Sequence, residues 1–324
     1  MDIRYNSYNW KKWGCAVLEW DIHWEIVKRS RTPEIVEGTV AYLTEHLSRY
    51  IREGEYVLIC FPYREKGSLS WYMEQAVLRC NAIPVIWSDN LWKTLLRQAF
   101  TNRVTAIIGP PLILLGLMKL KQRNKTPLFV RRVIVAGYPS TDWLIEGLVK
   151  GFDCKVGGCF GLEHSGIVAG FACGQSSGVH IRDDVYGVDV VDEAGIRVAD
   201  GTVGQMVLYP KDAPELRLPL GDYGAVSTEK CACGSEKLLL THLKYGGLMD
   251  PELNVLAQNL LSWNSILDCH VKKGPYGLEL EMLCFQGEKL PKLPAAAKLV
   301  VRNWDPQTDT PLPHVNSLKI PEFM

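Results

Sequence analysis

The chain has 324 residues, enough for about two domains with one sizeable core, which excludes a peptide hormone, a disulfide knot or a lone small module. Apolar residues make up 47% and charged residues 22%, and 36 Lys+Arg balance 36 Asp+Glu, so neither nucleic acid nor an anionic membrane is an expected partner. No apolar run reaches the ~18 to 20 residues that a bilayer span needs, and the N-terminus carries Arg4, Lys11 and Lys12 instead of a secretory signal. The ten cysteines therefore point to a reducing cytoplasm with free or metal-bound thiols.

Taken in chain order, Trp10, Trp13, Trp20 and Trp24 suit an N-terminal helix packed on the core or a subunit contact. From Pro33 to Arg52, Ile35, Val36, Val40, Leu43, Leu47 and Ile51 recur at helical steps, with Thr32 as N-cap, Pro33 at the first turn and Gly54 as the stop. Short apolar runs then alternate with amphipathic stretches. Tyr56 to Cys60, Ile83 to Trp87, Thr105 to Ile108 and Arg132 to Ala136 read as strands. Leu69 to Arg79, Leu91 to Phe100, Leu112 to Lys121 and Asp142 to Lys150 read as helices. Such alternation predicts a mostly parallel sheet covered by helices. Beyond Gly157, Val188 to Val191, Ile196 to Val198 and Gln205 to Tyr209 are joined by turn signals and predict antiparallel strands. The tail has a helical segment, Pro251 to Ser262, two strand-like runs, Leu267 to Lys272 and Leu278 to Phe285, and a proline-rich end. The expected organisation is a large α/β domain over 1–242 and a small α+β domain over 243–324.

Several motifs fall in one register. Gly178-Val179-His180 is followed by Asp183-Asp184, then by Pro214-Glu215-Leu216-Arg217-Leu218-Pro219-Leu220-Gly221-Asp222, then by Cys231-Ala232-Cys233-Gly234. Ala136-Gly137-Tyr138-Pro139, Phe160-Gly161-Leu162-Glu163-His164 and Gly246-Gly247-Leu248-Met249-Asp250-Pro251 extend the pattern. In order and spacing these resemble the phenylacetate-coenzyme A ligase branch of the adenylate-forming superfamily, from about residue 35 to the end. The resemblance implies that family's large α/β domain with a small C-terminal domain. It also implies activation of a carboxylic acid by ATP to an acyl-adenylate, followed by transfer to coenzyme A. By the same resemblance, Asp222 accepts both ribose hydroxyls, and Gly137, Tyr138, Phe160 and Gly161 hold adenine and acid. Glu163 or His164 takes the place of a Mg²⁺-binding glutamate, and Lys319 that of the C-terminal lysine that completes adenylation.

The departures from the family are chemical. Nothing before Tyr56 is the Ser/Thr/Gly-rich loop that cradles the β- and γ-phosphates, so that cradle is not expected here. His164 stands where the family has its glutamate, and imidazole is a poor ligand for hard Mg²⁺. Between Arg217 and Arg302 there is no arginine to follow the Gly-Asp step.

Cys173, His180, Cys231 and Cys233 form Cys-x6-His followed by Cys-x-Cys, a thiolate and imidazole set suited to structural Zn²⁺. The alternative is reduced core cysteines with a surface histidine, the default for the remaining cysteines. Cys159, five residues before His164, could alternatively be an imidazole-activated thiol carrying an acyl group. Asp183 and Asp184 read as a solvated turn. Two functions follow. One is a shortened acid-activating ligase that acts on a small carboxylic acid, aromatic for instance, or on its thioester. The other is a non-catalytic, zinc-stabilised homologue that binds a ligand or a protein. Oligomeric state and any pathway partner stay open.

Overall fold

In the computed structural model, residues 16–312 are described, apart from 62–64, 138–141, 163–164, 176–177, 245–250, 294 and 297. Five strands, β1 (Tyr56–Ile59), β2 (Ile83–Ile86), β3 (Ala106–Gly109), β4 (Arg132–Ala136) and β5 (Lys155–Leu162), run parallel in the order β2-β1-β3-β4-β5. Because successive side chains on a strand point to opposite faces, these apolar strands feed two cores. Val57, Ile59, Ala106, Ile108 and Ile134 pack against helices α2 (Pro33–Leu47) and α3 (Leu69–Arg79). Leu58, Ile107, Val133 and Val135 pack against α4 (Trp92–Thr101), α5 (Pro111–Arg123) and α6 (Asp142–Phe152).

The sheet continues without a break into an antiparallel half. Strands β6 (Ile167–Phe171), β7 (Val179–Ile181), β8 (Tyr186–Val191), β9 (Gly204–Pro210), β10 (Leu218–Val226) and β11 (Leu239–Lys244) extend it in the order β5-β6-β7-β11-β10-β9-β8, making eleven strands. A third core, with Ile181, Val188, Met206, Leu208 and Leu240, lies on this half. Into it the N-terminal helix α1 (Ala16–Ser30) buries Ile26. The apolar stripe of α1 is Ile22, Ile26 and Val27, whereas Trp24 is 55% exposed, so aliphatic residues and not Trp24 dock the helix.

Two boundaries differ from the sequence reading. Helix α2 starts with Pro33 in its first turn but ends at Leu47, before the expected Arg52, and Thr32 takes the N-cap position without a side-chain bond. Ile196–Val198 makes only an isolated bridge, Val191 to Arg197. There the Asp192 carboxylate accepts from the N–H groups of Ala194 and Ile196 and turns the chain tightly.

The C-terminal segment comprises α7 (Pro251–Leu261) and a three-stranded sheet of β12 (Ile266–Gly274), β13 (Gly277–Cys284) and β14 (Lys298–Asn303). Strand β14 pairs parallel with β13 and was not evident in the proline-rich tail. The boundary expected at 242 falls within β11. Leu260, Ile266, Leu267, Leu280 and Met282 share one apolar core with α4, α5 and α6. Within that contact Lys119 of α5 is only 4% exposed, and its Nζ donates to the carbonyls of Ile266 at 2.6 Å and Trp263 at 3.4 Å. Asp309 carbonyl accepts from Trp92 N–H at the start of α4.

Burial lowers the Lys119 pKa to about 8, against the opposing pull of Cys269, Asp268 and Cys284. With its folded-state pKa below its unfolded value, the unfolded chain retains a proton between pH 8 and 10.5 that the folded chain has released, so stability from this group rises with pH there. Relative to Lys119→Met, the wild-type protein should gain about 3 kcal/mol of unfolding free energy between pH 7 and 11. Denaturant titrations at a series of pH values check this, and a constant difference between the two proteins would contradict it.

Candidate functional site

Cys173 follows β6, His180 lies on β7, and Cys231 and Cys233 occupy the turn between β10 and β11. Local backbone chemistry brings them together. A Cβ on Gly178 would lie 2.5 Å from the Leu240 carbonyl oxygen, so only glycine lets β7 come this close to β11, where His180 pairs with Leu239. Gly234, at φ +79°, closes the Cys231 turn by donating to the Cys231 carbonyl at 3.0 Å.

The three sulfurs and one imidazole nitrogen all lie within 4.8 Å of one another. Cys173 Sγ is 3.4 Å from Cys231 Sγ, too far for a disulfide, and Cys233 Sγ is 3.2 Å from His180 Nε2. A tetrahedron with metal–ligand bonds of about 2.0 to 2.3 Å has edges of about 3.3 to 3.8 Å, close to those two separations. The His180 Nδ1 faces the Lys237 carbonyl at 3.3 Å, which places the ring proton on Nδ1 and turns the Nε2 lone pair toward the sulfurs. The N–H of Gln175 donates to Cys173 Sγ at 3.4 Å, adding a charge-stabilising donor. These four residues could hold a metal ion as a closed, structural set.

The expected nucleotide residues lie elsewhere on the same sheet. Ala136 of β4 pairs with Cys159 of β5, so Gly137, at φ +105°, and Phe160–Gly161 stand side by side at the carboxyl ends of two parallel strands. Open α/β sheets bind ligands at those ends. A Cβ on Gly161 would lie 2.2 Å from the Ile167 carbonyl oxygen, at the register break between β5 and β6. Asp222 is 7% exposed on β10, inside the register break between Pro219 and Tyr223 and next to Gly221 at φ +71°. Tyr138, Glu163, His164 and Lys319 lie outside the described residues.

Cys159 is not an activated thiol. It is 6% exposed among the side chains that cover α2 and α3, and burial pushes its pKa up to about 12. Asp183 and Asp184 form an exposed turn, where Asp184 accepts from buried Arg182 at 3.4 Å and Asp183 pairs with Lys237 at 4.0 Å. Sequence reasoning missed two groups at this end of the sheet. Ser165 is buried with its Oγ 2.6 Å from His23 Nε2 of α1, and Gly166 lies against the carbonyl of Gly67 in the loop between β1 and α3. No spacing rule could have linked positions so far apart.

No family model matches the chain, and no curated protein matches it. Solved structures do. A 2-hydroxyisobutyryl-CoA ligase in the postadenylation state, in complex with 2-HIB-AMP, is 16% identical at a TM-score of 0.60, covering 78% of this chain and 58% of that one. A benzoate CoA ligase from Burkholderia xenovorans is 12% identical at 0.52, covering 84% and 63%. The amide bond synthetase McbA from Marinactinospora thermotolerans is 14% identical at 0.50, covering 84% and 64%. The chain thus has the fold of these ligase and synthetase structures and spans about three fifths of their length.

Alkylation of the native protein at pH 8 should leave Cys159 unmodified, and peptide mapping should find it labelled only after denaturant is added. Rapid labelling of Cys159 in the folded protein would restore the reactive-thiol alternative.

Proposed function

We propose that this protein is an acid-activating, ligase-like protein of the phenylacetate-coenzyme A ligase-like branch, and that it recognises the adenosine monophosphate half of an acyl-adenylate. The carrying observation is the coincidence of a CoA-ligase fold with Asp222 buried at a register break of β10 and with the Gly137 and Phe160–Gly161 turns at the carboxyl ends of β4 and β5. A carboxylate can accept from both ribose hydroxyls at once, which neutral side chains of that size do less well. The base would lie against the backbone of Gly137 and Phe160–Gly161 at the carboxyl ends of β4 and β5. The acid is small and carboxylic, an aromatic acid being our preferred case, with coenzyme A as the thiol acceptor. Glu163 and His164, which follow Leu162 in the sequence, are assigned to the acid and Mg²⁺, and Lys319 to the adenylation role.

The Cys173, His180, Cys231 and Cys233 quartet is proposed to hold one structural Zn²⁺, which ties β7 to the turn before β11 and leaves no coordination position open for chemistry. A reducing cytoplasmic setting would keep those thiols available. Among the described residues, no helix is long and apolar enough to cross a membrane.

Titration calorimetry tests the nucleotide reading. AMP should bind, ATP should bind no more tightly, and Asp222→Ala should abolish both, because a carboxylate accepting charge-assisted bonds has no replacement there. Absence of AMP binding would overturn it, and ATP binding at least tenfold more tightly than AMP would replace the adenosine-half reading with a full ATP-using ligase. The zinc reading has a separate measurement. Protein purified without chelator should carry one zinc per chain. Its removal should cost about 4 kcal/mol of stability if the site is held at 1,000-fold over its Kd, and Cys231→Ser should show the same loss. A chain with no zinc and no change on chelation would contradict it.

A further inference from the structure

The chain leaves β5 after Phe160, Gly161 and Leu162 and returns as β6 at Ile167, and the described flanks of this connection are fixed from three directions. Within the sheet, Leu162 pairs with Ile167, and the Gly166 N–H donates back to the Leu162 carbonyl at 3.0 Å. From the loop before α3, the Gly67 carbonyl comes so close that a Cβ on Gly166 would sit 1.7 Å from it. The third direction is α1, where His23 Nε2 meets Ser165 Oγ at 2.6 Å, across 142 residues of sequence. Ser165 is 5% exposed, so a hydroxyl that lost this partner would lose a contact that water cannot readily replace.

Helix α1 does not reach this turn by chance of a single contact. Ile26, one turn beyond His23, is fully buried in the cluster that also holds Phe160, Ile167 and Leu218, and α1 packs on β10, the strand of Asp222. At the far end of the helix Arg29 pairs with Asp212 at 2.9 Å, and just beyond it Arg31 lies against Gly67. An exposed pair such as Arg29–Asp212 contributes little, so among the described residues the fixtures of α1 include the apolar stripe of Ile22, Ile26 and Val27 and the His23–Ser165 bond.

We propose that His23 is a positioning residue for the candidate site. Through Ser165 it fixes the approach of β6 to the Phe160–Gly161 end of β5, so that docking of the N-terminal helix and binding at the carboxyl ends of β4 and β5 are coupled. The positioning itself stands on the geometry just given. Its coupling to ligand rests on the adenosine reading of the site.

The experiment is hydrogen exchange on the full-length protein, with and without AMP, for the wild type, His23→Ala, Ser165→Ala and the double variant. Without ligand, each single variant should raise exchange at least fivefold in both segments 16–30 and 160–168, and the double variant should be no worse than either. His23→Gln, which keeps a side-chain donor and acceptor near the same place, should restore most of the protection. With AMP, the wild type should slow exchange in 16–30 and His23→Ala should bind AMP at least fivefold more weakly. Additive effects of the two substitutions, or exchange in 160–168 unchanged by His23→Ala, would overturn the positioning role. Wild-type protein that binds no AMP yet shows the non-additive pattern would sustain the positioning role and reject the adenosine reading. AMP binding that His23→Ala leaves unchanged would overturn the coupling.

Discussion

Strand β5 imposes the constraint from which the rest of the molecule follows. It accepts a parallel neighbour, β4, on one edge and an antiparallel neighbour, β6, on the other, so it is the seam where one kind of sheet becomes the other. The seam is built from glycines. Gly157 leaves room for the Tyr50 ring, and Gly161 lets the Ile167 carbonyl approach to a distance that no side chain tolerates. Filling either position would force overpacking, at a typical cost of about 1 to 3 kcal/mol, and at Gly161 it would push β6 away from its neighbour.

Everything with chemical potential lies on or beyond that seam. Phe160, Gly161 and the following turn end β5 itself, Gly137 ends the parallel strand beside it, and β6 leads directly to Cys173. The Cys/His quartet gathers on the antiparallel half where the end of β6, strand β7 and the turn before β11 meet. Asp222 lies on β10, the neighbour of β11, so a metal held by the quartet would also steady the strand bearing the carboxylate. The parallel half serves as a platform packed on both faces, with the C-terminal unit docked through Lys119 onto the α5 side, away from the α2 and α3 side.

The sequence made the parallel half legible because Val57 to Ile59, Ile107 to Ile108 and Val133 to Val135 are unbroken apolar runs separated by amphipathic helices, and periodicity reports that arrangement directly. It hid β5 and β10, since Gly157, Gly158 and Gly161 in one and Pro219 and Gly221 in the other read as loop punctuation. Their strand character comes from neighbours distant in sequence, not from local propensity. The Cys/His quartet was legible as a cluster because thiol and imidazole types at Cys173, His180, Cys231 and Cys233 stand out against an otherwise unpatterned set of cysteines. The burial of Lys119 and the pairing of His23 with Ser165 were not, for each depends on a helix face meeting an element more than a hundred positions away.

The proposed adenosine monophosphate site spans the seam at β5 and Asp222, four strands along the sheet on β10. A crystal structure of the protein grown with AMP tests it most directly. The ribose hydroxyls should lie within hydrogen-bond distance of the Asp222 carboxylate, with the base against the Gly137 and Phe160–Gly161 backbone. Nucleotide density at any other surface, with Asp222 facing only protein atoms, would contradict the claim.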